Sequence, residues 1–260
     1  MTGGATSSAT RKFRRGVEQV KTLLDEAEQF EAADAYTHDI EVDHLAEREA
    51  EVHLYVTQLR SIPEDWSLLA GEAIQNLRAC LDHAVYAASS DEWRARSSFP
   101  ITSTERSFET RGQGMLRGVT PELREVIRTA QPYLRTPQRP KADRLWCLRE
   151  LSNIDKHRTL TTVATAVSAE YVGVPDGVNV TWTKPATGVA LGPGRAHVST
   201  FLAVSSQSLD IGQIEPGFSY AVHIERFPIT FLKGIAHRVF EVLVECETGK
   251  RISPFATYPI

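Results

Sequence analysis

Sulfur chemistry and membrane anchoring both lack support in this sequence. It has only three cysteines, Cys80, Cys147 and Cys246, which are widely spaced and set among apolar residues. No Cys-x-x-Cys pair is present for zinc or redox chemistry, so they are expected to be reduced core residues. No apolar run approaches the ~18 residues that a membrane span needs. Residues 1–10 have no apolar segment of the kind found in signal peptides and predict a disordered tail. A cytoplasmic protein with no membrane partner is therefore expected.

Metal and cofactor signatures are also missing. A di-iron helical bundle needs two Glu-x-x-His pairs from different helices, and only Glu41-Val-Asp-His44 has that spacing. Zinc held by Glu72, His83 and His157 is geometrically conceivable across helices, but no ligand spacing supports it. The chain contains neither a Gly-x-Ser-x-Gly motif nor a Walker loop. The sequence therefore predicts no metal and no other cofactor.

Charge is unevenly distributed, although the net charge is only −4. Residues 16–92 contain 4 Lys or Arg against 18 Asp or Glu. Residues 93–158 contain 14 against 7, and 12 of those 14 cations are Arg. Arg suits bidentate contacts with phosphate or carboxylate groups. The second segment is therefore either the basic rim of a binding site or a solvated connector.

Apolar periodicity predicts mainly helices up to about residue 163. Helices are expected over residues 11–33, 37–60, 63–89, 120–130 and 141–163. The first three are joined by short connections and should lie antiparallel. Between residues 91 and 140, Pro, Gly, Ser, Thr and Arg dominate. This composition predicts a loop-rich basic segment, with a mobile glycine-rich loop at 111–118.

Near residue 161 the apolar pattern becomes alternating. Strands are predicted at 161–174, 178–183, 196–204 and 218–225, with turns at Pro175-Asp-Gly177 and Gly192-Pro-Gly194. Thr230 should then cap a last amphipathic helix that ends near Gly249. The predicted fold class is α+β, an antiparallel helical bundle with a small antiparallel β-sheet inserted before the last helix. The expected domains are the bundle (11–165), the β layer (166–227) and the last helix (228–248), which packs on the bundle.

The helix over residues 71–86 has an unusually specific polar face. Its apolar residues fall within one arc that a core would cover: Ile74, Leu77, Cys80, Leu81, Ala84 and Val85. The opposite side carries Glu72, Asn76 and His83 on one flank, and Arg78 with Asp82 on the other. An imidazole, a guanidinium, carboxylates and an amide on one surface suggest a site, because a face needed only for solubility is usually filled with Lys and Glu.

A second polar cluster lies on the helix over residues 141–163. Its members are Asn153, Asp155, His157 and Arg158. Asp155 and Arg158 fall on the same side as the apolar residues, where charges are costly unless they are paired. They are expected to be buried and to meet Arg78 or Asp82 across the bundle, whereas the other two point away. The alternative is a buried ion network that fixes helix register and has no role in chemistry.

Arg78 and His83 together have the chemistry of metal-independent RNA cleavage. His83 can take the 2′-hydroxyl proton and later protonate the leaving oxygen, and Arg78 can hold the phosphorane charge. Five residues on an ideal helix place the two side chains about 140° apart, so one helix aims them poorly at one phosphorus. Two copies across a two-fold axis could supply the Arg of one chain and the His of the other. Glu72, Asn76 and Asp82 are the expected orienting residues.

The Arg78-x4-His83 motif on the third helix of an antiparallel bundle resembles the HEPN superfamily. Its catalytic members are metal-independent ribonucleases, often toxins or defence proteins, that build the site at a dimer interface. The resemblance implies a homodimer that acts on RNA with Arg78 and His83 as catalytic residues. Segments 71–83 and 153–158 also resemble a group of uncharacterised bacterial proteins with Asn-Leu-Arg-x2-Leu-Asp-His and Asn-x-Asp-Lys-His-Arg motifs, which implies no known activity.

The alternative hypothesis is a non-catalytic binding or interaction protein of the same fold. In that case the polar face of the 71–86 helix binds a nucleotide or an anionic ligand, or serves only as a buried structural network. Exposure separates the two hypotheses, since a ribonuclease needs His83 open to a cleft or a dimer seam. The basic segment 93–158 is compatible with both.

Overall fold

The computed structural model describes residues 7–33, 35–173, 176–184, 188–192, 194–206 and 215–249. Contacts divide the chain into two units. Within the described residues, the helical unit comprises residues 7–24, 65–160 and 230–249. The sheet unit comprises the described parts of 25–64 and 161–229. Each unit is thus assembled from separate stretches of the chain.

The helices lie mostly in the helical unit. In chain order they are α1 Ser8–Ala32, α2 Asp65–Ala88, α3 Asp91–Arg94, α4 Glu105–Ser107, α5 Gln113–Met115, α6 Pro121–Thr129, α7 Pro132–Arg135, α8 Arg144–His157 and α9 Phe231–Thr248. A π-helical turn, Phe108–Gly112, joins α4 to α5, and a 3-10 turn, Pro140–Ala142, precedes α8. Residues 25–32 of α1 belong to the sheet unit. None of the helices in the described part of the chain is long and apolar enough to cross a membrane.

Local chemistry sets the ends of the longer helices. Thr120 accepts a hydrogen bond from the Leu123 amide at the start of α6, with Pro121 at the first helical position. Asp143 caps α8 in the same way by accepting from the Leu145 amide. Gly249 ends α9 in a left-handed conformation with φ of 67°, which glycine adopts without steric cost. The helices predicted over 11–33, 63–89, 120–130 and from 230 are confirmed.

Helices α2, α8 and α9 contact one another and enclose the core of the helical unit. The predicted apolar arc of α2 is buried apart from the half-buried Ala84, and Ile74, Leu77 and Leu81 are fully buried. Leu148 on α8 and Val239 on α9 are also fully buried. Each such side chain contributes roughly 1.5–3 kcal/mol by leaving water.

The strands form two four-stranded antiparallel sheets in the sheet unit. They are β1 Tyr36–Ala46, β2 Glu49–Gln58, β3 Thr162–Gly173, β4 Val178–Lys184, β5 Val189–Leu191, β6 Gly194–Ser205, β7 Glu215–Ile224 and β8 Phe227–Pro228. The first sheet has the order β1-β2-β6-β4, and the second has the order β5-β3-β7-β8. Val52, Leu54, Phe201 and Ala203 form a buried cluster on the first sheet.

The helix predicted over residues 37–60 is wrong, because this stretch is the β1–β2 hairpin. Its buried residues recur at every second position, as a strand with one covered face requires: Ala50, Val52, Leu54 and Val56. The helical interpretation gave equal weight to Ile40 and Leu45, which are 41% and 58% exposed. These two apolar side chains on the outer strand masked the period of two.

The predicted architecture is therefore wrong as well. The chain has two sheets instead of one small sheet inserted before the last helix, and β2 from the early part of the chain pairs with β6 from the late part. The turn predicted at Pro175-Asp-Gly177 was expected to join two paired strands. Among the described residues, however, β3 pairs with β7 and β5, and β4 pairs with β6. Pro175 itself lies outside the described residues. Of the predicted fold class, only the presence of both helices and strands agrees with the structure.

Candidate functional site

Arg78 and Asp82 on α2 hold one residue of the next segment by its backbone. Asp82 Oδ1 accepts from the Phe99 amide at 2.9 Å, and Arg78 Nη2 donates to the Phe99 carbonyl at 2.6 Å. The two side chains also pair with each other at 2.8 Å. Because Phe99 is fully buried, this arrangement fixes segment 98–102 against α2.

Behind this clamp lies a cavity of about 390 Å³, which we call the arginine pocket. Its cationic lining is Arg78, Arg111, Arg149 and Lys156, and among the described residues no carboxylate lines it. Polar groups around the cations come from Ser98, Thr102, Ser103, Ser107, Ser152 and Asn153, and Trp146 adds an aromatic ring. All of these residues belong to the helical unit. The site is therefore complete within one unit.

Helix α8 supplies one wall of the arginine pocket by helical spacing. Trp146, Arg149, Asn153 and Lys156 follow one another at intervals of three or four residues, which places them on one face. The other face of α8 carries the buried Leu148 of the core. The helix is thus amphipathic in the ordinary way, and its polar face lines the pocket.

The electrostatic environment of Arg78 combines burial with nearby charges of both signs. Its side chain is 17% exposed, and burial lowers the pKa of its guanidinium, while Asp82 raises it and Arg149 lowers it again. Its Nη1 atom is buried and has no hydrogen-bond partner in the described part of the chain. Arg149 lies over the Trp146 ring, with its Cζ atom 4.5 Å from the ring centroid. The guanidinium groups of Arg78 and Arg149 therefore line one partly enclosed space, and Asp82 pairs with Arg78.

Gln131, which is fully buried, holds the opposite wall of the arginine pocket. Its Nε2 donates to the carbonyls of Pro100 and Ile127 at 2.8 and 3.0 Å. Its Oε1 accepts from the backbone amide and the hydroxyl of Thr102 at 2.9 and 3.1 Å. Segment 98–102 is therefore tied at one end to α2 and at the other to Gln131, the residue directly before α7.

The predicted mobile loop at 111–118 is wrong in its first residues, which belong to the π-helical turn and α5. Gly112 is buried, and a Cβ atom there would come 3.2 Å from Pro100 and 3.0 Å from Phe108. Glycine therefore permits the turn to pack closely on segment 98–102. The turn carries Arg111 to the edge of the arginine pocket.

His83 faces a different cavity from Arg78. It is half-buried and lines a space of about 310 Å³ with Ser8, Cys246 and Glu247, which we call the histidine pocket. Its Nδ1 atom is buried without a hydrogen-bond partner among the described residues. All three cysteines of the chain are free, and burial raises the pKa of the Cys246 thiol to about 12. Within one chain, Arg78 and His83 do not form a single site.

Glu72 and Asn76 lie apart from both pockets, against α1. Gln19 donates to Glu72, while Asn76 donates to Gln19 at 2.8 Å and accepts from Lys12 at 3.0 Å. The predicted polar face of α2 is therefore real but divided. Of the predicted orienting residues, only Asp82 contacts Arg78.

The second predicted cluster is also divided. Asn153 lines the arginine pocket, whereas His157 and Arg158 are exposed. Asp155 is half-buried and accepts a hydrogen bond from Gln75 at 2.9 Å. The predicted burial of Arg158 is wrong, as is the pairing of this cluster with Arg78 or Asp82. Residues 155–158 form the last turn of α8 and its C-cap, so Arg158 reaches solvent where the helix ends.

Asp155 is expected to contribute little to stability alone but to decide the effect of a glycine replacement. Asp155→Ala should cost about 1 kcal/mol, the value of one partly exposed hydrogen bond. A Cβ atom at Gly71 would come 2.2 Å from Asp155 Oδ1, so Gly71→Ala should not stabilise the wild type. In the Asp155→Ala background it should stabilise by up to ~1 kcal/mol through helix propensity.

Urea denaturation of the two single variants and the double variant measures this coupling. Gly114→Ala is the control, because no atom lies within 4 Å of the added Cβ. Equal effects of Gly71→Ala in both backgrounds would show that the carboxylate and the glycine are independent.

The predicted site residues did not include four side chains that give the arginine pocket its chemistry: Arg111, Trp146, Arg149 and Lys156. Three of them lie on α8, and their spacing was a usable signal because a helix had been predicted there. The residues predicted on that helix came instead from its apolar side and the charges near it. Arg111 had no comparable signal, since only the folded chain brings the π-helical turn to α8.

No family model, curated protein or solved structure matches the chain. The resemblance to the HEPN superfamily therefore stays a prediction from the Arg78-x4-His83 motif. Among the described residues, no group of three or more His, Cys, Asp or Glu is placed to hold a metal ion. Proposals about function depend on the geometry of the two pockets.

Proposed function

We propose that the helical unit binds a phosphate-bearing small molecule, such as a nucleotide, in the arginine pocket. One observation carries the proposal: Arg78, whose buried Nη1 has no partner among the described residues, lines a cavity with three further cations and, in that part of the chain, no carboxylate. This function develops the hypothesis that the polar face of α2 serves a nucleotide or an anionic ligand.

The physical reason is the cost of like charges in a partly enclosed space. The nearby charge of Arg149 lowers the pKa of the Arg78 guanidinium, and interactions between charges strengthen as water is removed. Asp82 offsets part of this cost for Arg78 but also accepts from the Phe99 amide. An anion between the two guanidinium groups would relieve the repulsion and accept charge-assisted hydrogen bonds from them.

The rest of the lining fits a phosphate ester better than a simple carboxylate. Arg forks match the oxygens of a phosphate, and hydroxyl groups such as Ser98 and Ser103 can donate to the remaining oxygens. Trp146 offers an aromatic ring of the type on which nucleobases stack. A volume of about 390 Å³ lies within the usual range for small-molecule sites, about 300–1,000 Å³.

A ribonuclease that uses Arg78 and His83 is the second candidate. The unpartnered Nδ1 of His83 favours it, because an imidazole that faces a cavity is available for proton transfer. Since the two residues line different pockets, this activity requires the His83 of one chain to approach the Arg78 of another. Metal-independent RNA cleavage that is lost in His83→Ala and Arg78→Ala and recovered by mixing them would support it.

Isothermal titration calorimetry with AMP and with adenosine tests the proposed binding function. The full-length protein at low ionic strength is expected to bind AMP and to bind adenosine at least about tenfold more weakly, because the phosphate carries the charge-assisted contacts. Arg149→Ala should weaken AMP binding by about tenfold or more. Arg144→Ala removes the same charge from an exposed position of α8 outside the pocket and should leave AMP binding unchanged.

Equal affinity for AMP and adenosine would contradict the proposal. So would equal losses in Arg149→Ala and Arg144→Ala, since a general effect of net charge would then explain the binding. Raised salt should weaken specific binding in the wild type only moderately, because Arg78 is largely shielded from solvent.

A further inference from the structure

The cations of the arginine pocket lie at two depths. Arg78 is largely buried and Arg149 is half-buried, whereas Arg111 and Lys156 are exposed at its edge. Arg78 of the inner pair also has the buried Nη1 atom that lacks a hydrogen-bond partner among the described residues. The outer pair has no carboxylate partner in the part of the chain that the structure describes.

Spacing along α8 separates the two pairs. Arg149 and Lys156 are seven residues apart, which corresponds to about 10 Å along a helix axis. They lie on one face, almost two turns apart, so they are better placed to contact successive groups of a ligand than one group. Arg111 reaches the edge from the π-helical turn, which Gly112 allows to pack against Pro100.

The charge of the pocket lining also favours more than one phosphate group. A phosphate monoester carries about −1.5 to −2 at neutral pH, which neutralises two of the four cations in the lining. With one phosphate between Arg78 and Arg149, Arg111 and Lys156 would still be uncompensated. Two linked phosphate groups match the charge of the pocket lining better than one.

We infer that the arginine pocket takes a diphosphate group, the inner phosphate between Arg78 and Arg149 and the outer phosphate at Arg111 and Lys156. This inference rests on the proposed phosphate binding. The ligand class is a nucleoside diphosphate or triphosphate, or another compound with a terminal diphosphate. The inner site recognises a phosphate, and the outer pair selects for the second one.

Calorimetric titration with inorganic phosphate and inorganic pyrophosphate tests the inference on the full-length protein. Wild type is expected to bind pyrophosphate at least about tenfold more tightly than phosphate, the gain from one further set of charge-assisted contacts. Arg111→Ala and Lys156→Ala should each lower pyrophosphate affinity much more than phosphate affinity, so that the ratio falls toward one. Lys141→Ala removes an exposed lysine that does not line the pocket and should keep the ratio of the wild type.

The outcomes separate this inference from the proposed function. If phosphate and pyrophosphate bind equally well, or if both outer variants lower the two affinities by the same factor, the two-phosphate arrangement is overturned while phosphate binding stands. If neither anion binds, both proposals fail. ADP and AMP, titrated in the same way, should reproduce the preference of the wild type, and an AMP affinity equal to that of ADP would count against a diphosphate ligand. Because both outer residues are exposed, circular dichroism should show wild-type folding for their alanine variants.

Discussion

Replacing Gln131 with alanine is expected to destabilise the helical unit by about 3–5 kcal/mol. The substitution removes a fully buried side chain that makes four hydrogen bonds, three of them to backbone groups. Each buried backbone group left without a partner costs about 1–3 kcal/mol. Urea unfolding of the full-length protein, followed by far-ultraviolet circular dichroism, measures the loss because this signal reports mainly helices.

Two further variants show whether hydrogen bonds or volume cause the loss at Gln131. Gln131→Glu keeps the size but removes the Nε2 donor to Pro100 and Ile127, so it should also destabilise strongly. Gln113→Ala, at an exposed position of α5, should change stability by less than about 0.5 kcal/mol. A small effect of Gln131→Ala would mean that water replaces the amide and that segment 98–102 is not held as described.

Arg78→Ala is expected to weaken ADP binding by about 100-fold. Hydrogen bonds to charged groups contribute about 1.5–3 kcal/mol, and the innermost phosphate would lose its most buried donor. The variant also frees the Phe99 carbonyl, which Arg78 Nη2 holds at 2.6 Å. Calorimetry gives the affinity, and thermal unfolding without ligand gives the stability lost in the wall of the pocket.

Matched variants on the same helix identify the cause of the lost binding. Arg78→Lys keeps the charge but lacks the planar guanidinium, whose Nη2 atom contacts both Asp82 and Phe99, so it should recover only part of the affinity. His83→Ala should bind ADP like the wild type, because His83 lines the histidine pocket. Normal ADP binding by a folded Arg78→Ala variant would place the ligand elsewhere.

Most of the longer helices of the helical unit were predictable from sequence because each has a continuous apolar stripe, although α8 ends at His157 and not at residue 163 as predicted. On α2, six apolar positions recur at helical spacing, and Thr120 and Gly249 mark a start and an end that the structure confirms. The β1–β2 hairpin was not predictable in the same way, since apolar residues on its exposed strand disguised the alternation. Pairing of β2 with β6 depends on residues that are distant in sequence.

The candidate site was predictable only in part, because a side chain's chemical type does not reveal its partner. Arg78 and Asp82 were identified on α2, but their clamp on Phe99 depends on where segment 98–102 returns. The basic segment 93–158 proved to be neither a uniform rim nor a connector. Arg124 donates to backbone carbonyls and Arg128 pairs with Glu125, whereas only some of the cations face the pocket.

The order of strands in the first sheet has a consequence for biosynthesis. Strand β2 lies between β1 and β6, and Val52 is opposite Phe201. As the chain leaves the ribosome, the hairpin can form early, but one edge of β2 stays unpaired until β6 has been made. Open strand edges of this kind are templates for pairing with other chains. The nascent protein is therefore expected to need protection by chaperones during that interval, and α9, which completes the helical unit, follows later still.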